Sequence, residues 1–144
     1  MSATNAFENK ILSLYFENAN AADIGDVTGL RGSTTAGSVF ISLHTADPGE
    51  TGDQTTNETA YTNYARQAVA RSTAGWTVAT GNADNDAAIT FPACGVTGST
   101  ITHVGIGSAT SGAGTRDLNG TASLVVSNGI TPSFAIGALD ISLD

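Results

Sequence analysis

Two histidines, His44 and His103, are the side chains that could move protons near neutral pH without a large pKa shift. His44 stands in Leu43-His44-Thr45-Ala46-Asp47-Pro48-Gly49-Glu50, with carboxylates three and six positions further on. His44, Asp47 and His103 together would supply the ligand number of a catalytic zinc site. No His pair occurs at x-His-x-His or i, i+4 spacing, so no single element would pre-form that site. Two polar strand residues, each with a local hydrogen bond, are the simpler reading. "GIGSATSGAG", residues 105–114, has the glycines of a phosphate loop but not its Gly-Lys-Ser/Thr ending. It reads as a flexible connection between strands. A Ser-His-Asp hydrolase would place its serine on a strained G-x-S-x-G turn, and the chain has none. "NADND", residues 82–86, groups oxygen donors that suit calcium but lacks the Gly and Glu of an EF-hand loop. Asn and Asp side chains bonding their own backbone in a turn account for it more simply. Cys94 is the sole cysteine, so an internal disulfide and a thiolate-rich zinc site are both excluded. No cation is near it in sequence, and it reads as a small apolar filler. These segments imply no enzymatic activity, no cofactor and no metal.

The elements that would carry these residues are mostly strands. Helical spacing appears only at the start, where Phe7, Ile11, Leu14 and Tyr15 recur, with Leu12 on a neighbouring face. Asn5 followed by Glu8 predicts the N-terminal cap, and the pattern stops near Asn18. Residues 18–37 are rich in Gly, Asn, Asp and Thr and read as a long loop, suited to an arm that reaches a neighbour. From Ser38 the period becomes two. Val39, Ile41 and Leu43 face one way, and Phe40, Ser42 and His44 the other. Further strands are expected within 64–72, 75–80, 86–93, 99–108, 121–129 and 131–144, with turns at Pro48-Gly49, Gly81-Asn82, Asn119-Gly120 and Asn128-Gly129. The expected fold is mainly β: an antiparallel β-sandwich or jelly-roll-like domain with one N-terminal α-helix. Its expected division is a helix and arm over 1–37 and a β-sandwich over 38–144.

Composition narrows the role. The 144 residues carry 13 acidic and 5 basic side chains, a net charge of −8, and charged residues make up only 12%. That charged share is low for a solitary soluble protein and suits one that assembles with others. The one lysine and four arginines are scattered, which excludes the clustered cations needed to displace counterions from phosphates. An anionic membrane surface is disfavoured for the same reason. The first twenty residues lack a basic n-region, and Glu8 and Glu17 interrupt their apolar pattern, so they do not read as a signal peptide.

Five segments occur in order: "FISLHTADPGETG", "YTNYARQAVAR", "AITFPA", "ITHVGIGSATSGAG" and "SNGITPSFAIGALDISLD". Together they resemble a family of small tailed-bacteriophage virion proteins, whose members are often labelled tail fibre proteins and are also found as capsid cement or decoration proteins. The resemblance spans nearly the whole chain and is weakest in 18–37. It implies a structural protein, made in the host bacterial cytoplasm and assembled into the virion. A fibre with a long shaft would show repeats or heptads, so a head cement protein on the outer capsid surface is the expectation, with a tail-associated module as the alternative. The implied partners are the major capsid protein and the protein itself as a dimer or trimer, with no nucleic acid and no membrane. Candidate capsid or subunit contacts are Phe7, Ile11 and Tyr15 on the helix, Leu30 and Arg31 in the loop, and Asp47, Pro48 and Glu50 in the turn. The tail alternative would use exposed Trp76 with Tyr61 or Tyr64 as a sugar-stacking platform.

Overall fold

The computed structural model describes residues 2–22, 24, 29–30 and 32–143. It is mostly β, with antiparallel sheets and a single N-terminal helix, as the strand periodicity predicts. The chain forms two compact units, each assembled from separated stretches. The first comprises Met1–Ser38, Ala70–Ile89 and Phe134–Asp144, and the second Val39–Val69 and Thr90–Ser133.

In the first unit, α1 (Asn5–Phe16) lies against a three-stranded sheet of β3 (Trp76–Ala79), β4 (Asn82–Asn85) and β9 (Asp140–Ser142), in the order β3-β4-β9. The cap lies one residue before the predicted one. Thr4, in extended conformation, is the N-cap, and its hydroxyl accepts from the Phe7 amide. Asn5 is therefore already helical, and Glu8 falls one position too late to complete a capping box with Thr4. The buried face also differs. Leu12 and Phe16 are enclosed, whereas Phe7 is 48% exposed. Phe16 meets Trp76 with ring centroids 4.5 Å apart, and both rings are fully buried. Offset aromatic contact of this kind adds to the burial of apolar area.

The helix ends where Asn18 takes a left-handed φ of 58°. Its last turn contains no basic residue, yet its carbonyls need donors. Arg71 supplies them from across the sequence. Its guanidinium donates to Tyr15 O at 2.6 Å, Leu14 O at 2.8 Å and Ala36 O at 3.2 Å. A cation at this terminus also opposes the negative end of the helix dipole.

Residues 82–86, expected to be a turn, largely form β4 instead. The reversal precedes them: Thr80 and Gly81 both have positive φ, 53° and 88°, between the paired residues Ala79 and Asn82. Two positive φ values in a two-residue loop match the hairpin turn whose twist suits the flanking strands. Asn9 on the helix accepts from the Gly81 amide at 2.7 Å and holds that turn. Buried Asn85 donates to Ala87 O and Ala135 O, each at 2.8 Å, and accepts from the Leu139 amide at 2.9 Å. One amide side chain thus fastens the C-terminal segment whose Leu139 and Ile141 enter the core. The described part of 18–37 turns back on itself. Asn18 exchanges two hydrogen bonds with the Ser33 backbone, and Ala21 bridges Leu30.

The second unit is built on a sheet in the order β2-β1-β6-β7, from β1 (Ser38–His44), β2 (Gln67–Ala70), β6 (Ser99–Gly107) and β7 (Arg116–Val126). β1 and β6 run antiparallel, with Ile41 opposite Ile106, Leu43 opposite Val104, and His44 opposite His103. Val39, Ile41 and Leu43 are buried as their alternation predicts. β2 is shorter than expected: Tyr64 and Arg66 lie before it, and both side chains bond Glu58. Tyr61, Tyr64 and Phe91 pack together, with centroids 5.3 Å and 6.3 Å apart. β5 (Ile89–Thr90) and β8 (Ser133–Phe134) pair as a short two-stranded ladder.

The Arg71 arrangement yields a direct expectation. Arg71→Gln removes a charge-assisted donor from three carbonyls and lowers unfolding free energy by about 2 kcal/mol. Urea denaturation measures this; an unchanged midpoint would show that the helix terminus does not depend on Arg71.

Candidate functional site

The chain between β1 and β2, residues 45–66, has almost no strand structure, yet it is fastened at many points. It begins with the His44 segment. Asp47 Oδ1 accepts from the Gly49 amide at 2.8 Å, an Asx turn, and Gly49 has φ 66° after Pro48. Arg116 donates to Gly49 O and, at 3.3 Å, to Gly52 O. Asn57 donates to Asp47 O at 2.9 Å and closes the loop on itself. A second turn follows, in which Asp53 accepts from the Thr55 hydroxyl and amide and from the Thr56 amide. The Thr55 hydroxyl bond is the main reason that the Asp53 carboxyl titrates below its ordinary range.

This segment and the end of β1 contribute a set of buried polar side chains, here called the layer: Ser42, His44, Gln54 and Arg66. His44 Nδ1 is 2.9 Å from Thr56 O, and a carbonyl only accepts, so Nδ1 carries the proton. Nε2 is then the acceptor for the Ser42 hydroxyl at 2.8 Å. Burial is the largest influence on this ring, and it lowers the pKa below the ordinary 6.5. Gln54 donates to Phe40 O at 3.3 Å and accepts from the Ala109 amide at 2.9 Å. Glycines on β6 make room for the layer. A Cβ on Gly105 would come within 2.7 Å of both His44 Nε2 and Ser42 Oγ, and one on Gly107 within 2.5 Å of Gln54 Cδ.

Arg66 makes more hydrogen bonds than the other members of the layer. Its Nε and Nη2 grip Glu58 at 2.6 and 2.8 Å, a bidentate pair. Nη1 reaches Ala109 O at 2.9 Å, and Nη2 also reaches Gly112 O at 2.8 Å. The Arg66 side chain is only 2% exposed. The bond to Glu58 is the largest influence on the guanidinium and raises its pKa. Tyr64 donates its hydroxyl proton to Glu58 at 2.9 Å and accepts from the Leu43 amide at 3.0 Å. Burial pushes the Tyr64 phenol well above its ordinary value, and pushes the Tyr61 phenol up to about 12. The "GIGSATSGAG" segment is therefore anchored rather than flexible. Its carbonyls face an arginine, the reverse of a loop that offers amides to phosphate.

The structure sets His44 opposite His103 across β1 and β6 but gives each residue first considered for chemistry its own hydrogen-bond partners. Both ring nitrogens of His44 are engaged within the layer. Asp47 serves its own turn and receives Asn119 at 3.4 Å, and His103 Nδ1 lies 2.9 Å from the Thr102 hydroxyl. Among the described residues no group of three His, Cys, Asp or Glu side chains gathers. Cys94 is buried, with Sγ 3.3 Å from Thr97 O. The Trp76–Tyr61–Tyr64 platform is overturned: Trp76 and Tyr61 are buried, and Trp76 belongs to a different unit from the tyrosines.

Of the candidate contacts, Phe7, Leu30, Asp47 and Glu50 are exposed, and Ile11 and Tyr15 are half-buried. Pro48 is buried in its turn, and Arg31 lies outside the described residues. Sequence reasoning missed Glu58, Gln54 and the structural use of Arg66, Arg71 and Arg116. The local signal was the shared position of Tyr64 and Arg66 beside a run with no other cation.

Fold and layer together define a β-rich structural module whose polar side chains hold loops in place. The family model described as podophage GP4 fiber I protein gp80 matches residues 2–142. The chain belongs to this family of phage virion structural proteins, so the resemblance read from its five segments holds, and the tail-fibre label fits. No curated protein matches the chain.

Two outcomes follow from the layer. Arg66→Met leaves the Glu58 carboxylate without its counter-charge and takes a donor from the carbonyls of Ala109 and Gly112, and it destabilises by about 3–5 kcal/mol. Hydrogen exchange at residues 108–114 should accelerate with it; an unaltered exchange rate there would contradict the anchoring role. For His44, the unfolded state takes up a proton near pH 6.5 and the folded state only at lower pH. Its contribution is therefore fully present above pH 6.5 and is lost as pH falls below it. Unfolding midpoints across this range should slope downward with acidification in the native protein, and the slope should flatten in His44→Gln.

Proposed function

We propose that the protein is a non-enzymatic structural module of the phage virion, built into a tail-associated fibre. Family membership over residues 2–142 carries this reading, because the family description names a fibre protein. The interior supports it. Arg66, Arg71 and Arg116 are each committed to backbone carbonyls, and both His44 nitrogens are engaged, so these side chains act as scaffold. Its partners are then other virion proteins, including copies of itself. With those three arginines occupied by backbone carbonyls, the acidic chain presents little to attract nucleic acid or an anionic lipid surface. No described helix is long and apolar enough to cross a membrane.

A second reading is a head cement protein bound to the major capsid protein on the outer shell. It is favoured by the turn at 47–52, where Asp47 and Glu50 are exposed on a loop that Arg116 holds rigid. Contacts repeated over a lattice multiply modest affinities.

Particle reconstruction, with immunogold labelling of intact virions, decides between them. Label confined to the tail is expected, together with an unchanged melting temperature for capsids that lack the protein. Label spread over the capsid faces would replace the fibre reading with the cement reading. Virions free of label would overturn both.

A further inference from the structure

We propose that β7 and the two loops at its C-terminal end form a surface that binds a second copy of this chain. The inference concerns the second unit alone and stands whichever part of the virion the protein occupies.

β7 is an eleven-residue strand at the margin of its sheet, paired on one side with β6. No strand among the described residues pairs with its outer side. Such an edge offers a row of backbone donors and acceptors, and another strand edge is the partner that satisfies them. Register shifts between Ile101 and His103, and between Ile106 and Gly107, interrupt the ladder, with regular pairing between them and at Leu124–Val126. Val125, in that last regular run, is 70% exposed.

The edge continues into an apolar patch. Val96 is 87% exposed and Ile130 42% exposed, each on a loop beside the strand ends where Ser99 pairs with Val126. The loops are stitched together. The Cys94 amide donates to Ile130 O, and the Gly129 amide to Cys94 O, each at 2.8 Å. The Thr62 amide donates to Thr97 O at 2.9 Å, and the Thr97 amide donates back to the Thr62 hydroxyl at 3.0 Å. Held this way, Val96 and Ile130 are presented with little ordering left for binding to impose.

Charge selects the occupant. Across residues 87–139 the only formal charges are Arg116 and Asp117, adjacent at the start of β7 and away from the patch. Arg116 is already bound to Gly49 O and Gly52 O. A charge-rich partner would therefore desolvate its ions against this face without compensation. Copies of a chain with net charge −8 repel one another elsewhere, and a charge-free face is where they can meet. The surface that matches it in edge, patch and lack of charge is the same surface on another copy, the self-complementary contact of a two-fold dimer.

Sedimentation of the full-length protein at low and high salt provides the test. Association should rise with concentration and tighten with salt, because salt screens the repulsion between like-charged copies. Val96→Lys with Val125→Lys should weaken it at least about tenfold by placing like charges face to face. Phe7→Lys, on the helix of the other unit, should leave it unchanged. Hydrogen exchange on the native protein supplies a readout free of substitutions: β7 amides should slow as concentration rises. A monomer at every concentration and salt would overturn the proposal and leave the face to another virion protein. Association that weakens with salt, or that yields to Phe7→Lys but not to the valine pair, would overturn it as well.

Discussion

Much of this fold rests on arginine side chains donating to backbone carbonyls. Long stretches of the chain lie outside helices and strands, and their carbonyls find no ladder. A guanidinium with five fixed donors can serve several of them at once. Arg66 joins Glu58 to the loop at 109–112, Arg71 closes the helix terminus against Ala36, and Arg116 holds the turn at 49–52. Of these, Arg66 is the most enclosed, and it is the one paired with a carboxylate. Removing its charge from that position would leave the Glu58 carboxylate with only the Tyr64 hydroxyl, and two carbonyls without the arginine, which is why this region depends on it.

Glycine is the complementary constraint. A polar layer can lie on a sheet only if the sheet surface leaves space, and β6 provides it at Gly105 and Gly107. The alternation of Ser42 and His44 with apolar neighbours therefore does not mark a solvent-facing side. Both sides of this strand end are buried, one against apolar residues and the other against hydrogen-bonding ones.

Local patterns carried much of the architecture and little of the layer. Val39, Ile41 and Leu43 announce a strand because period-two burial is encoded in adjacent residues, and the helix is legible for the same reason. The cap was misplaced by one residue because Thr4 and Asn5 are both good capping types and only backbone geometry separates them. Residues 82–85 resemble a turn in composition but are a strand, because Thr80-Gly81 takes the reversal and Asn85 finds partners as far away as Ala135. The arginine contacts with carbonyls span 35 to 67 positions of sequence, beyond any periodic signal. His44 invited a metal reading since its neighbours in sequence are acidic, whereas its neighbours in space are a hydroxyl and a carbonyl.

Inward arginines also bear on how long such a particle part lasts outside a cell. Proteases that cut after Lys or Arg must draw that side chain into a pocket and take the flanking chain in an unpaired, extended form. Here Arg66, Arg71 and Arg116 are tied to carbonyls, and Lys10 sits within the helix. At these four positions digestion must wait for a unit to open, so its pace follows the opening equilibrium rather than the supply of enzyme-ready sites. At the three arginines, the same bonds that shape the loops would thus also slow cleavage.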